Sequence, residues 1–315
     1  MKALLHFRAS DFLARRMRQR MPSWLELAIV DPEDEAGIKE QLLDTDVLFH
    51  VLAPADRALM SLAPNLKLIQ KIGVGINTID LDEAHRRGIL VANMPGTNSQ
   101  AVAEMTLGLM LTAMRKIVTF DQATRNGQGW SLSPETMDDV GEIGGKVVGL
   151  IGFGAVPQRL APALTALGAK VIYCDRRASA SPNGERVPMD DLIRRADIIS
   201  LHVPLTLETQ AMIGHVQLEK MKKGVILVNT ARGELIDEQA LYGNLVSRHV
   251  RCVGLDVLNT EPACSDNPLF TLPNVIVTPH VSWLTLETIE RSLTVAVENC
   301  QLLLNGSPLI HQVPT

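Results

Sequence analysis

Short apolar runs rich in β-branched residues alternate with segments of helical periodicity along most of the chain. In the first third, the apolar runs predict strands at 3–7, 27–30, 47–51, 68–72 and 88–92. The periodic segments between them predict helices at 11–20, 34–43 and 56–62. Alternation of strands and helices is typical of a parallel sheet with helices on both faces.

A long helical pattern at 99–117 separates this region from a second alternating region. There, strands are predicted at 147–151, 170–174, 198–202, 225–229, 252–256 and 275–278. Helices are predicted near 158–167, 189–195, 213–220 and 236–245, followed by a last amphipathic helix at 286–304. Six strands in this order fit a doubly wound dinucleotide-binding domain, so the fold class is α/β.

Composition limits the possible functions. A chain of 315 residues favours two domains, and 46% hydrophobic with 21% charged residues is typical of a globular protein. Aromatic residues are only 3% and the formal net charge is -5, so nucleic acid is not an expected partner. No apolar run reaches the roughly 18 residues of a membrane span, and Met1 starts no signal-peptide pattern. We therefore expect a cytoplasmic protein without a membrane partner.

The four cysteines lack the spacing of a metal site, and no metal is expected. A glycine-rich turn follows the strand at 147–151. Gly152 permits a tight turn, Gly154 lets the backbone approach a pyrophosphate, and the next helix offers free N–H groups. Pro157 replaces the usual third glycine, which a first helical turn tolerates because that N–H has no partner within the helix. The predicted cofactor contacts in this turn are Gly152, Phe153, Gly154, Ala155 and Val156.

Asp175 ends the next predicted strand, 23 residues after Gly152. A carboxylate at this point can accept hydrogen bonds from the adenosine ribose hydroxyls and repel a 2′-phosphate, which favours NAD. Arg176, a further predicted cofactor contact, and Arg177 stand beside it and can pair with a 2′-phosphate. NADP therefore remains the alternative cofactor.

Three polar residues, Arg232, Glu261 and His280, follow successive predicted strands of the second region. Ligands of open α/β sheets bind outside the carboxyl ends of the strands, so these side chains can meet over one crevice. A histidine exchanges protons near neutral pH, and a neighbouring carboxylate orients its ring. An arginine fork can hold a carboxylate and polarise a carbonyl. This set suits reduction of a 2-keto acid by a nicotinamide hydride.

The chain resembles the D-isomer-specific 2-hydroxyacid dehydrogenases over nearly its whole length. The matching segments are 73–75, 77–80, 93–98, 102–104, 142–146, the glycine turn, 202–206 and the segments that hold the three polar residues. The resemblance implies two doubly wound parallel-sheet domains, with a Rossmann-type nucleotide domain inserted into a flavodoxin-like substrate domain. The expected bounds are 98–285 for the nucleotide domain and 1–97 plus 286–315 for the substrate domain.

The resemblance also implies roles for individual residues. His280 would be the acid–base, Glu261 would orient it, and Arg232 would bind the substrate. Val74 and Gly75 would offer backbone N–H groups to the substrate carboxylate. Besides Arg232 and His280, the further cofactor contacts that it implies are Ser99, His202, Val203, Pro204, Thr206, Thr230, Ala231 and Asp256, with Asp256 accepting from the nicotinamide carboxamide. The helix at 99–117 would be a hinge and a homodimer contact.

Val281-Ser282-Trp283 follow the histidine, where many members of this family have two glycines. Trp283 is expected to narrow the substrate pocket, and the first expected substrate is a small unphosphorylated acid such as glyoxylate or hydroxypyruvate. Tryptophan near this position also occurs in the corepressor branch of the family and in some glyoxylate/hydroxypyruvate reductases. An NAD(H)-sensing interaction protein is therefore one alternative, and a dehydrogenase of an unusual donor such as phosphite is another.

Overall fold

The computed structural model describes residues 1–177 and 180–314. It divides into two compact units: a first unit of Met1–Asn98 with Leu284–Thr315, and a second unit of Ser99–Trp283. These bounds differ from the predicted domain bounds by one residue at the first boundary and by two at the second.

The helices and strands alternate through both units. Up to residue 98 they are β1 (Lys2–His6), α1 (Asp11–Gln19), β2 (Glu26–Val30), α2 (Glu35–Leu42), β3 (Val47–His50), α3 (Arg57–Ser61), β4 (Leu68–Lys71), α4 (Leu81–Arg86) and β5 (Leu90–Ala92). From residue 99 they are α5 (Ser99–Arg115), α6 (Ile117–Arg125), α7 (Glu135–Asp138), β6 (Val147–Ile151), α8 (Ala155–Ala166), β7 (Lys170–Cys174), β8 (Glu185–Arg186), α9 (Met189–Arg195), β9 (Ile198–Leu201), α10 (His215–Lys220), β10 (Val225–Asn229), α11 (Glu238–Val246), β11 (Val250–Leu255), β12 (Val275–Val277) and α12 (Leu286–Leu304).

The first unit contains a five-stranded sheet in the order β2-β1-β3-β4-β5, and each neighbouring pair is parallel. This is the flavodoxin-like order that the resemblance implied. Its early helices start at side-chain caps, because Ser10, Asp34 and Asp56 each accept a hydrogen bond from a first-turn N–H. The apolar faces of these helices pack on the sheet and form the core of the unit.

The second unit contains a seven-stranded parallel sheet in the order β12-β11-β10-β9-β6-β7-β8. The strand order reverses between β6 and β9, which is the switch point where doubly wound sheets bind dinucleotides. The six predicted strands are present and the predicted α/β class is confirmed. The seventh strand, β8, was not predicted because it is a two-residue strand of exposed polar residues.

The predicted helix at 99–117 is wrong at its carboxyl end. Lys116 adopts a left-handed conformation, with φ of 50°, and ends α5. The chain then starts α6, and α7 follows in a segment for which the sequence predicted no helix. A further unpredicted helix, α4, starts at Asp80, whose carboxylate accepts from the Glu83 N–H at 2.9 Å.

The buried imidazole of His50, at the end of β3, predicts an acid-sensitive first unit. His50 is 3% exposed, and burial together with the charge of Lys71 lowers its pKa from 6.5 to about 3. The unfolded chain binds a proton that the folded chain does not, so stability falls as the pH drops below 6.5. Between about pH 7 and pH 5, we expect the natural protein to lose about 2 kcal/mol more unfolding free energy than His50→Gln.

Chemical denaturation at both pH values measures this difference. The matched control is His85→Gln on the exposed side of α4, which should lose as much stability as the natural protein. Equal losses in all three proteins would show that His50 takes up a proton without unfolding.

Candidate active site

The glycine turn lies at the switch point of the second unit. Gly152 has a φ of 92°, and a Cβ added there would lie 2.5 Å from the carbonyl oxygen of His202. Both the backbone conformation and the close approach of the end of β9 therefore require glycine. The turn takes the tight form that the sequence predicts.

Gly154 is the N-cap of α8 and provides no side-chain cap for the helix. A Cβ added to it would meet nothing within 4 Å, so the space in front of the helix start is open. Pro157 is buried in the first turn, and α8 starts three residues earlier than predicted because that position needs no N–H. Open space, unpaired first-turn N–H groups and the positive end of the helix dipole fit a pyrophosphate.

The carboxylate of Asp175 ties the end of β7 to this turn. Its Oδ2 accepts from the Phe153 N–H at 2.8 Å, and its Oδ1 accepts from the Arg177 N–H at 2.6 Å. A carboxylate oxygen can accept more than one hydrogen bond, so these two contacts are compatible with binding of ribose hydroxyls. The ring of Phe153 stacks on Tyr173, with 3.8 Å between the ring centroids, and supports the same turn. Arg176 follows Asp175 directly in the chain.

The segment after β9 holds His202, Val203, Pro204 and Thr206. Burial lowers the pKa of His202 to about 3, so its ring is neutral. Thr209 folds the segment back on itself, because its hydroxyl accepts from the Thr206 N–H at 2.7 Å and donates to the Pro204 carbonyl at 2.7 Å. Sequence reasoning missed Thr209, although its spacing from Thr206 suits a hydroxyl-closed turn.

His280 and Glu261 form a short hydrogen bond, with 2.6 Å between Nδ1 and Oε2. Oε1 of Glu261 also accepts from the Leu258 N–H at 2.9 Å. Burial acts to raise the pKa of Glu261, but its contacts with His280 and Leu258 and the charge of Arg232 outweigh burial and lower the pKa. An ionised carboxylate only accepts hydrogen bonds, so Nδ1 of His280 carries the proton. Nε2 is then the nitrogen that can exchange a proton with a ligand.

Arg232 follows β10 in a loop that Asn229 holds. The Asn229 side chain accepts from the Ala231 N–H at 3.0 Å and donates to the Arg232 carbonyl at 2.7 Å. Nη1 of Arg232 donates to the Ala231 carbonyl at 2.6 Å. Burial lowers the pKa of Arg232, whereas the carboxylates of Glu234 and Glu261 act in the opposite direction. A half-buried guanidinium beside a carboxylate–imidazole pair suits recognition of an anionic group.

Asn229 itself was not predicted as a site residue. It is fully buried at the end of an apolar strand, and a polar residue at that point is the signal that sequence reasoning overlooked. In the same loop, the Thr230 hydroxyl lies 2.9 Å from the Thr106 hydroxyl on α5. Ser99, at the start of α5, is 2% exposed. The cofactor roles of Ser99, Thr230 and Ala231 stay predictions.

Asp256 holds the segment that follows His280. Its carboxylate accepts from the Thr278 hydroxyl at 2.5 Å, the Val281 N–H at 3.0 Å and the Ser282 N–H at 2.9 Å. The resemblance implied a different partner for Asp256, the nicotinamide carboxamide, and that contact stays a prediction. Three protein donors on one buried carboxylate make Asp256 a support of the histidine segment.

Trp283 also contacts the histidine segment, since its Nε1 donates to the His280 carbonyl at 3.1 Å. The role of Trp283 as a wall of the substrate pocket stays a prediction.

In the first unit, Val74 is 46% exposed in the loop after β4, and Asn93 donates to its carbonyl at 3.0 Å. The substrate contacts of Val74 and Gly75 stay predictions.

Within residues 1–177 and 180–314, no group of three or more His, Cys, Asp and Glu residues is arranged to hold a metal ion. Within the same ranges, every helix is too short or too polar to cross a membrane.

Comparisons with known proteins agree on one family. The model for the NAD-binding domain of D-isomer specific 2-hydroxyacid dehydrogenases matches residues 107–282. A D-3-phosphoglycerate dehydrogenase from Mycobacterium leprae is 39% identical over 302 residues, covering 94% of this chain and 56% of the relative. A glyoxylate reductase from Thermofilum pendens is 37% identical over 292 residues, covering 89% of this chain and 86% of the relative.

Among solved structures, D-lactate dehydrogenase with NAD+ from Lactobacillus jensenii superimposes with a TM-score of 0.80. It is 30% identical, and the match covers 100% of both chains. The chain spans about half the length of the phosphoglycerate dehydrogenases it matches, but most of the length of the glyoxylate reductase.

Proposed function

The chain belongs to the D-isomer-specific 2-hydroxyacid dehydrogenase family, and we propose that it transfers a hydride between NAD(H) and a small 2-keto or D-2-hydroxy acid. The observation that carries the proposal is the hydrogen bond of 2.6 Å between Nδ1 of His280 and Oε2 of Glu261. Arg232 follows the adjacent strand β10, so all three side chains belong to the carboxyl edge of the sheet that holds the glycine turn. Ligands bind at this edge in doubly wound folds.

Each residue has a separate task in this proposal. Glu261 keeps the proton on Nδ1 of His280 and turns Nε2 towards the substrate. Nε2 donates a proton to the substrate oxygen in reduction and takes it back in oxidation. Arg232 binds the substrate carboxylate and polarises the carbonyl group. Reduction therefore consumes one proton through His280, and oxidation releases one.

The second unit holds the cofactor in this proposal, and NAD is favoured over NADP. The glycine turn and the start of α8 would receive the pyrophosphate, and Asp175 would accept from the adenosine ribose. The further contacts are the predicted ones: Ser99, Arg176, His202, Val203, Pro204, Thr206, Thr230, Ala231 and Asp256. The thiols of all four cysteines are free, which suits a reducing compartment, so a cytoplasmic location is part of the proposal.

A substrate panel tests the activity. Oxidation of NADH and of NADPH is measured with glyoxylate, hydroxypyruvate, pyruvate, phenylpyruvate and 3-phosphohydroxypyruvate. We expect turnover of glyoxylate or hydroxypyruvate, preferentially with NADH, since relatives named glyoxylate reductase and hydroxypyruvate reductase match most of their own length. Turnover of the phosphorylated acid alone would correct the substrate class. Cofactor binding without any turnover would contradict the enzymatic proposal.

Gly154 allows the cofactor site to be tested apart from folding. The residue has ordinary extended backbone angles and free space at its Cβ, so nothing in the protein itself requires glycine there. A side chain would instead meet a pyrophosphate at the start of α8. Gly154→Val is expected to keep the thermal midpoint and to weaken NADH binding by about 10-fold or more, as roughly 1.4 kcal/mol corresponds to a factor of ten.

Fluorescence titration with NADH measures the affinity, and a thermal melt without cofactor measures the fold. The matched control is Gly243→Ala in α11, another glycine with free space around its Cβ. Unchanged NADH affinity in Gly154→Val would place the pyrophosphate elsewhere.

We also propose a homodimer, with its contact in the segment 117–140, which follows the helix at 99–117 that the resemblance implied as the dimer contact. Along this segment no residue is buried within its own unit, although it includes α6 and α7. Ile117 and Met137 are half exposed, and Trp130 is 91% exposed. Apolar side chains grouped in this way are typical of an interaction surface, and a second copy of the chain would cover them.

Sedimentation equilibrium tests the dimer. The natural protein should sediment as a dimer and Trp130→Glu as a monomer. Phe12→Glu, which changes another exposed aromatic residue on α1, is the control and should remain dimeric. A natural protein that sediments as a monomer would contradict the proposal.

A further inference from the structure

We propose that Trp283 is a positioning residue for His280, acting through the backbone of the histidine. This inference rests on the proposed function, in which Nε2 of His280 exchanges the substrate proton. It differs from the expected role of Trp283 as a wall of the substrate pocket, because it concerns the indole N–H and not the volume of the ring.

The backbone of His280 is in an unfavourable conformation. Its φ is 53°, in the left-handed region that residues with a Cβ seldom adopt. Such a conformation persists only where several contacts with the surrounding structure fix it. The histidine segment therefore needs fixed contacts on both sides of the His280 Cα.

The amino side and the following peptides are held by Asp256. The His280 N–H donates to the Asp256 carbonyl at 2.8 Å. The N–H groups of Val281 and Ser282 donate to the Asp256 carboxylate. These contacts use N–H groups only, and none of them reaches the carbonyl of His280.

The carbonyl side is held by Trp283. The indole Nε1–H donates to the His280 carbonyl oxygen at 3.1 Å, three residues back in the chain. A side-chain donor thus closes the turn that contains the left-handed residue. Because an indole nitrogen is a donor only, this link has one orientation.

The backbone link matters for the side chain because the ring of His280 has little freedom. Nδ1 must stay 2.6 Å from Oε2 of Glu261, while Nε2 must reach the substrate. Rotation of the peptide after His280 would move the Cα–Cβ bond and break one of these two requirements. A displacement of about 1 Å in a catalytic group can cost up to about 100-fold in rate.

The test replaces Trp283 with β-(3-benzothienyl)alanine by amber suppression. This analogue keeps the shape of indole but has sulfur in place of the N–H, so only the donor is lost. We expect kcat for keto-acid reduction to fall about 10-fold, with KM nearly unchanged. The matched control is the same analogue at Trp24, in the first unit, which should have natural kinetics.

A double variant distinguishes positioning of His280 from two other effects of Trp283, a change in the wall of the substrate pocket and a change in folding. If Trp283 acts through His280, the analogue should cause no further loss in a His280→Ala background. A rise in KM with kcat unchanged, or an equal loss in that background, would overturn the proposal. So would an unchanged kcat in the single variant.

A proton NMR measurement does not depend on turnover. A short Nδ1–H···Oε2 hydrogen bond gives a strongly downfield proton signal, which His280→Ala identifies by removing it. The Trp283 analogue should broaden or shift this signal, and the Trp24 analogue should not. If the natural protein turned over no acid but the signal responded in this way, the positioning role would stand and the proposed function would fail. An unaltered signal would overturn the positioning role.

Discussion

His280→Ala is expected to lower turnover of the keto acid by about 100-fold or more, because it removes the group that we propose as the donor of the substrate proton. Cofactor affinity should change much less than turnover, since most of the proposed cofactor contacts lie in the glycine turn, at Asp175 and in the segment after β9. Steady-state kinetics give the turnover number, and NADH fluorescence gives the affinity. The matched control is His215→Ala, a change of an exposed histidine on α10, which should have natural kinetics.

Glu261→Gln tests the same pair from its other side. The pKa of Glu261 is lowered, so the carboxylate is ionised at neutral pH and favours the protonated imidazole. A neutral amide removes this effect, and we expect reduction to fall by about 10-fold or more near pH 7, with a smaller effect on oxidation. Equal losses in the two directions would show that Glu261 only orients the ring. In the first experiment, near-natural rates in the His280→Ala variant would assign the proton transfer to another group.

Most strands of both units could be predicted because their residues are buried on both faces of a parallel sheet. All five residues of β10 are buried, and the apolar run 225–228 with the buried Asn229 after it was predicted as a strand with identical bounds. The short β8 gives no such run, because it consists of exposed Glu185 and Arg186 and exists only through its pairing with β7. Apolar continuity therefore predicts central strands and misses this edge strand.

Two of the helices that were not predicted, α6 and α7, lie where the chain buries no residue in its own unit. The helices α6 and α7 have no buried residues, so they have no apolar stripe directed at the core. The break at Lys116 depends on one left-handed residue, whose ammonium group donates to the Thr136 carbonyl at 2.9 Å. Local propensity does not encode a break of this kind.

The sequence predicted the chemical groups of the candidate site but not the hydrogen bonds that hold its loops in place. His280 and Glu261 were paired from their positions after strands, and the structure brings them into hydrogen-bond contact. The contact of Asp256 with the segment after His280 depends on the adjacency of β11 and β12, which no local pattern shows. Asn229 and Thr209 were missed for a related reason, since each side chain bonds to backbone that only the folded loop brings near.

Gly233→Ala is expected to disassemble the site from a position that bears no reactive group. Gly233 follows Arg232, and a Cβ there would lie 2.0 Å from the carbonyl carbon of Leu258 and 2.5 Å from the nitrogen of Asn259. Backbone cannot move aside as a flexible side chain does, so the two loops must separate. Because one loop holds Arg232 and the other leads to Glu261, we expect a destabilisation of about 3 kcal/mol or more.

The folded fraction of Gly233→Ala should also lose activity, by about 100-fold, since the loops can no longer place both groups correctly. Denaturant unfolding measures the stability, and kinetics on the folded fraction measure the activity. Gly243→Ala, in the interior of α11 with free space at its Cβ, is the matched control and should be neutral or more stable by up to about 1 kcal/mol. Natural stability and kinetics in Gly233→Ala would mean that the Arg232 and Leu258 loops do not pack together in solution, and the shared placement of Arg232 and Glu261 would then need another cause.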